Sequence, residues 1–150
     1  MFSLTDKKIT IEQLKPGDHI LVRRHGILYS HHGIYIAENQ VIDFSEGDIF
    51  DKEIKQISLQ NFIKGGTLRI RRYGVYSDPI ETIKRAKKAL NEKWKYSVFQ
   101  NNCEHFATWC VTGNKESFQS QRTYFGLGAL AAGIATLGKM MYDNYKKSKV

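Results

Sequence analysis

Cysteine is scarce: Cys103 and Cys110 are the two in a chain of 150 residues, too few for a fold held together by disulfides. Proline is equally scarce, and two Pro with twelve Gly exclude a low-complexity linker protein. Residues 1–10 lack an apolar core and carry Asp6, Lys7 and Lys8, so they hold no readable secretory signal. These absences together predict a reducing, cytoplasmic setting. Acidic residues are outnumbered, 15 Asp+Glu against 23 Lys+Arg, for a formal net charge of +8. That excess fits an anionic partner without choosing between nucleic acid and a membrane surface. Hydrophobic residues at 41% and aromatics at 12% still exclude general disorder, and the length suits one domain.

Charge is spread along the chain as far as Arg122, and residues 123–138 then carry none. Lys139, Lys146, Lys147 and Lys149 follow, against Asp143. This contrast predicts a globular domain at 9–113, a connector at 114–122, and a hydrophobic C-terminal helix with a basic tail at 123–150. The uncharged run falls short of the ~20 residues that span a bilayer. With Lys139 snorkelling, the segment 123–142 reaches about 30 Å of helix, with Tyr124 and Tyr142 near the two interfaces. The alternative is a helix buried in, or lying on, the same domain.

Within the globular part, Leu14-Lys15-Pro16-Gly17-Asp18 reads as a turn. Strands are expected at 19–23, 31–37, 40–44 and 67–71, with Glu38-Asn39 turning the middle pair into a hairpin. Asp78-Pro79-Ile80-Glu81 has the cap, the proline and the acidic residue of a helix start. Ile80, Ile83, Leu90 and Trp94 mark the expected inner face of that helix. A second helix should start with Asn101 as cap and Glu104 three residues later, and stop at Gly113. The order predicts an α+β fold, a small antiparallel sheet packed against helices.

Cys103 is the residue with the most chemistry. In the first turn of a helix, the dipole and the free amides favour a thiolate, the form a nucleophile needs. A small buried apolar cysteine is the competing reading. Cys110 lies two turns away, about 10 Å, too far for a disulfide, and reads as core. A nucleophilic cysteine needs a base. Of His31 and His32, adjacent on a strand, only one can face a given cleft. Asp43 is the candidate to orient it, subject to a test of register. Gly33 opposite Asp43 would put Asp43 and His31 on one face with no side chain between them. That requires an odd-length loop, such as Ala37-Glu38-Asn39, or a bulge, since a plain two-residue loop places them on opposite faces.

The segments LKPGDHILVRR, YSHHGIYIAENQVIDF and FQNNCEHFATWCVTG resemble the lecithin retinol acyltransferase (LRAT) domain family, also called the NC-domain or H-box family. The resemblance runs from Leu14 to Gly113. It implies a permuted papain-like fold related to the NlpC/P60 cysteine peptidases. It also implies Cys103 as nucleophile, matching the C of NCEHF, and His31 as base, matching the first position of H-x-[AG]-I-Y. The third polar residue of the family, usually His in V-x-H, corresponds to Asp43 in Val41-Ile42-Asp43, a departure from the pattern. The implied activity is transfer of a fatty acyl group from a phospholipid through an acyl-cysteine to water or an acceptor, without cofactor or metal. The oxyanion donor stays open among the Cys103 amide, Tyr29 and Tyr35.

Other readings compete. A cysteine peptidase or amidase is lowered by the missing export signal, and a non-catalytic membrane-associated module by the complete Cys103/His31/Asp43 set. Metal binding by His25, His31, His32, Cys103 and His105 lacks a standard zinc spacing. Nucleic-acid binding through Arg69 to Arg72 or Lys84 to Lys88 lacks an accompanying aromatic motif. The lysines around the hydrophobic segment favour an anionic membrane surface.

Overall fold

The strict alternation of Leu68-Arg69-Ile70-Arg71 forms a half-buried strand, as expected, and five more strands join it. The computed structural model describes residues 4–24, 29–44, 52–92, 102–114, 138–143 and 145–147. In chain order these give β1 (Leu4–Lys8), β2 (His19–Arg24), β3 (Tyr29–Ala37), β4 (Gln40–Phe44), β5 (Ile54–Ser58), α1 (Leu59–Ile63), β6 (Leu68–Tyr73), α2 (Pro79–Asn91) and α3 (Cys103–Thr112). The strands form one open antiparallel sheet in the order β1-β6-β2-β3-β4-β5. The fold is α+β.

The outer strands β1 and β5 and the short α1 lie outside the sequence expectations. β1 is mostly polar, with four of its five residues exposed, and β5 exposes two of its five, as suits sheet edges that must not pair with other chains; neither strand shows a clear alternation. β1 pairs with β6, which extends the sheet ahead of residue 9.

Apolar side chains are buried on both faces of the sheet. Ile20, Val22, Val41 and Leu68 pack with Leu59 and Phe62 of α1. Ile34, Ile42 and Phe44 pack with Ala86 and Ala89 of α2 and with Phe106, Ala107 and Cys110 of α3. The inner face of α2 departs from expectation in part: Leu90 packs against the core as expected. Ile80 is 65% exposed, and the small residues Thr82, Ala86 and Ala89 are the buried ones. They let α2 lie close to its neighbours, and Arg85 reaches across to the α3 carbonyls of Cys110 (2.7 Å) and Val111 (3.3 Å). Trp94 lies outside the described residues.

The start of α2 is as expected, with Asp78 accepting from the Ile80 amide at 2.8 Å. Gly113 closes α3 at φ 74°, the left-handed stop that favours glycine. The cap of α3 is shifted by one residue: Asn102, not Asn101, accepts from the His105 amide at 2.9 Å. Cys103 is therefore the first residue of the helix. Asn101 is outside the described residues, as is 123–137 of the expected hydrophobic segment. Residues 138–143 and 145–147 are helical. Among the described residues no helix is long and apolar enough to cross a membrane.

Candidate active site

The hairpin β3–β4 builds half of the site. Its loop has two residues, Glu38 and Asn39 at φ 49° and 59°, the positive pair that a type I′ turn demands. Ala37 pairs with Gln40, while Gly33 pairs with Asp43, because the register shifts between Tyr35 and Ala37. The three-residue loop is thus replaced by a two-residue turn plus a bulge, which has the same effect on parity. His31 and Asp43 share a face, and His31 Nε2 lies 2.6 Å from Asp43 Oδ2 with both residues buried.

Gly33 is what makes the approach possible. A Cβ there would lie 2.8 Å from Val41 Cγ1, 2.9 Å from the Phe62 ring and 3.2 Å from the Asp43 Cβ. Phe62 fills that space and lies against the His31 ring, centroids 5.0 Å apart. It is held there from β2, because Arg24 donates to the α1 carbonyls of Phe62 and of Ile63, the latter at 2.8 Å.

Cys103 completes the group from the start of α3. It is buried, and its thiol is 3.7 Å from the Ser30 carbonyl oxygen, the residue before His31. Nδ1 of His31 makes no conventional hydrogen bond. Burial by itself would lower the pKa of His31, but the Asp43 carboxylate and the Cys103 sulfur outweigh it and raise the ring to about 9. This favours the protonated imidazole at neutral pH. All three residues singled out in the sequence come together.

His32 points to the opposite face and belongs to a different network. Its Nδ1 is 2.8 Å from His19 Nε2, and His19 Nδ1 is 2.7 Å from the Tyr73 hydroxyl, which donates to Thr108 Oγ1 at 3.4 Å. Burial holds both imidazoles well below their ordinary pKa, helped by the positive charge of Arg71. Among the described residues, no three His, Cys, Asp or Glu side chains are grouped to hold a metal. His25 and the side chain of Tyr29 lie outside them. The Tyr35 hydroxyl accepts from the Asn39 amide at 3.4 Å, four residues or about 13 Å along the strand from His31, too far to serve an oxyanion at Cys103. Cys103 holds the first helical position of α3, directly after the Asn102 cap.

Phe62 and Arg71 are the contributors that sequence reasoning missed. Phe62 left no local signal. Arg71 did: it sits at a polar position of an alternating strand.

The sheet of this α+β fold thus presents a buried His–Asp pair to a cysteine at a helix start. The family model described as lecithin retinol acyltransferase matches residues 12–116, and the chain belongs to that family. Similar proteins include Protein LEAD-SENSITIVE 1 of Arabidopsis thaliana, 29% identical over 197 aligned positions that cover 94% of this chain and 76% of that protein. Phospholipase A and acyltransferase 1 of Rattus norvegicus is 30% identical over 136 positions, covering 79% of this chain and 80% of its own. The lecithin retinol acyltransferase of Mus musculus is 28% identical over 151 positions, with coverage of 76% and 65%.

Proposed function

We propose that this protein is a thiol-dependent phospholipase A/acyltransferase with a permuted papain-like catalytic domain, working through an acyl-cysteine at Cys103. The observation that carries this reading is the buried His31–Asp43 pair, 2.6 Å apart, with Cys103 beside it at the start of α3. The names of the relatives supply the substrate class.

In the proposed reaction the thiol proton rests on His31, and the Cys103 thiolate attacks the ester carbonyl of a glycerophospholipid. The negative charge that develops on the carbonyl oxygen is met by the Cys103 amide. As the intermediate collapses, the carbon–oxygen bond to the glycerol breaks and His31 protonates the departing oxygen. The products of this half are a lysolipid and the acyl-cysteine thioester. Water or an acceptor alcohol or amine then gives its proton to His31 and attacks the thioester, which releases the thiolate. Asp43 keeps the ring oriented and stabilises its charge throughout. The segment 123–142, with its basic tail, brings this site to an anionic lipid surface in the cytoplasm.

The test is intact mass spectrometry after incubation with phosphatidylcholine vesicles. One fatty acyl adduct on Cys103, together with lysolipid, is expected, and both should vanish in Cys103→Ala and His31→Ala. Neither adduct nor lysolipid from the wild-type protein, in vesicles or in detergent, overturns the proposal.

A further inference from the structure

The basic run at Arg69 to Arg72 has no part in the reaction above, yet Arg71 is not a solvated surface charge. It is 12% exposed and lies between two carboxylates from distant parts of the chain. Its Nε and Nη2 donate to both oxygens of Asp6, at 2.8 and 3.0 Å, and its Nη1 donates to Glu104 Oε1 at 2.7 Å. Asp6 is its cross-strand partner on β1. Glu104 is the neighbour of Cys103, in the first turn of α3. The planar fork of an arginine can hold both carboxylates at once, which an ammonium cannot match. The neighbouring Arg72 is 55% exposed and pairs with Asp18 at 3.2 Å, so the two arginines differ in kind.

We infer that Arg71 is a positioning residue for the nucleophile, setting the first turn of α3 through Glu104 and tying the placement of Cys103 to the docking of the N-terminal strand through Asp6. Four of the five residues of β1 are exposed, so the strand has little apolar contact of its own to keep it in place. Beside the backbone ladder to β6, the bidentate pair to Arg71 adds a side-chain attachment and links it to the first turn of α3. Cys103 must meet both His31 and an ester carbonyl, and a displacement of about 1 Å can cost about 10²-fold in rate. The charge of Arg71 also acts on His19, His32 and Tyr73, and at Tyr73 the carboxylates of Glu104 and Asp6 oppose it, so its removal changes the electrostatics behind the site as well as the geometry.

This inference rests on Cys103 being the nucleophile, and the experiment separates the two claims. In the full-length protein, the rate of Cys103 alkylation by iodoacetamide is measured against pH, alongside kcat and KM for phosphatidylcholine in vesicles and the thermal midpoint. Arg71→Gln is expected to lower kcat about tenfold or more, to leave KM within about twofold, and to displace the alkylation pH profile. Arg71→Lys should recover part of the loss. Asp6→Asn should move in the same direction by a smaller factor, while Arg72→Gln matches the wild type. If Arg71→Gln fails to fold, Asp6→Asn and Glu104→Gln give the same reading. A lower thermal midpoint with an unchanged kcat and alkylation profile overturns the inference and leaves Arg71 a structural ion pair. Absence of lipid turnover in the wild type defeats the proposed function instead, and the alkylation profiles still decide the role of Arg71.

Discussion

Asp43 decides the pH range in which His31 can act. With its carboxylate 2.6 Å from the ring and no exposure to water, the imidazolium persists to about pH 9. The proposed mechanism needs that proton for the departing lysolipid, so kcat/KM should fall above about 9. Asp43→Asn removes the charge and lets burial dominate. Its falling limb should move down by about one unit or more, with a loss of about 10²-fold or more in kcat, measured as a pH–rate profile on vesicles. The same pair stabilises the fold. The folded pKa lies above the ordinary 6.5, so the contribution is complete below about pH 6.5 and is lost as the pH rises through about 9. Cys103 was legible from its place beside a helix start, His31 from the H-x-[AG]-I-Y resemblance, and Asp43 from a register argument. Phe62 was not, because a ring meets His31 only after two segments 31 positions apart have packed.

At the scale of elements, the hairpin and α1 form one unit around a missing side chain. Gly33→Ala would place a methyl group within 3 Å of Val41 and Phe62 and against Asp43. A cost of about 1–3 kcal/mol is expected from this overpacking, read as a lower denaturant midpoint. A loss of activity larger than the stability change alone explains should accompany it, since the Asp43–His31 bond is displaced. Gly65→Ala is the comparison: nothing lies within 4 Å of its Cβ position, and only the φ of 73° resists the side chain. It should cost about 1 kcal/mol and leave activity unchanged. The central strands and both long helices were readable from alternation and caps. α2 misled because its inner face uses Thr82, Ala86 and Ala89, chosen for close approach to α3, whereas Ile80 faces water. β1 was hidden because a polar edge strand carries no hydrophobic period, and β5 because its two isoleucines, three positions apart, do not alternate.

Across the whole molecule, charge is divided by role. Arg71 is committed to the carboxylates of Asp6 and Glu104 and Arg85 to helix carbonyls, while the exposed Arg72 pairs with Asp18. Lys84, Lys87 and Lys88 on α2 face solvent, and the lysines after Gly138 add a net +3 against Asp143. The proposal that residues 123–142 bring the site to lipid has a direct test. A chain ending at Arg122 should lose flotation with anionic vesicles while Cys103 remains reactive to iodoacetamide. Unchanged flotation would defeat the idea.

The bulge at Ile36 has a consequence for how this site can vary. A regular β-ladder is easier to form than an interrupted one, yet here regularity would set Asp43 on the wrong side of β4, with Ile42 turned towards His31. The site is therefore protected by a parity of chain length: between His31 and Asp43 the chain tolerates changes of two residues and rejects changes of one. Two sequences could carry the same histidine, aspartate and cysteine, differ by a single aliphatic residue in this hairpin, and fall on opposite sides of activity. Residue identity alone would not tell them apart.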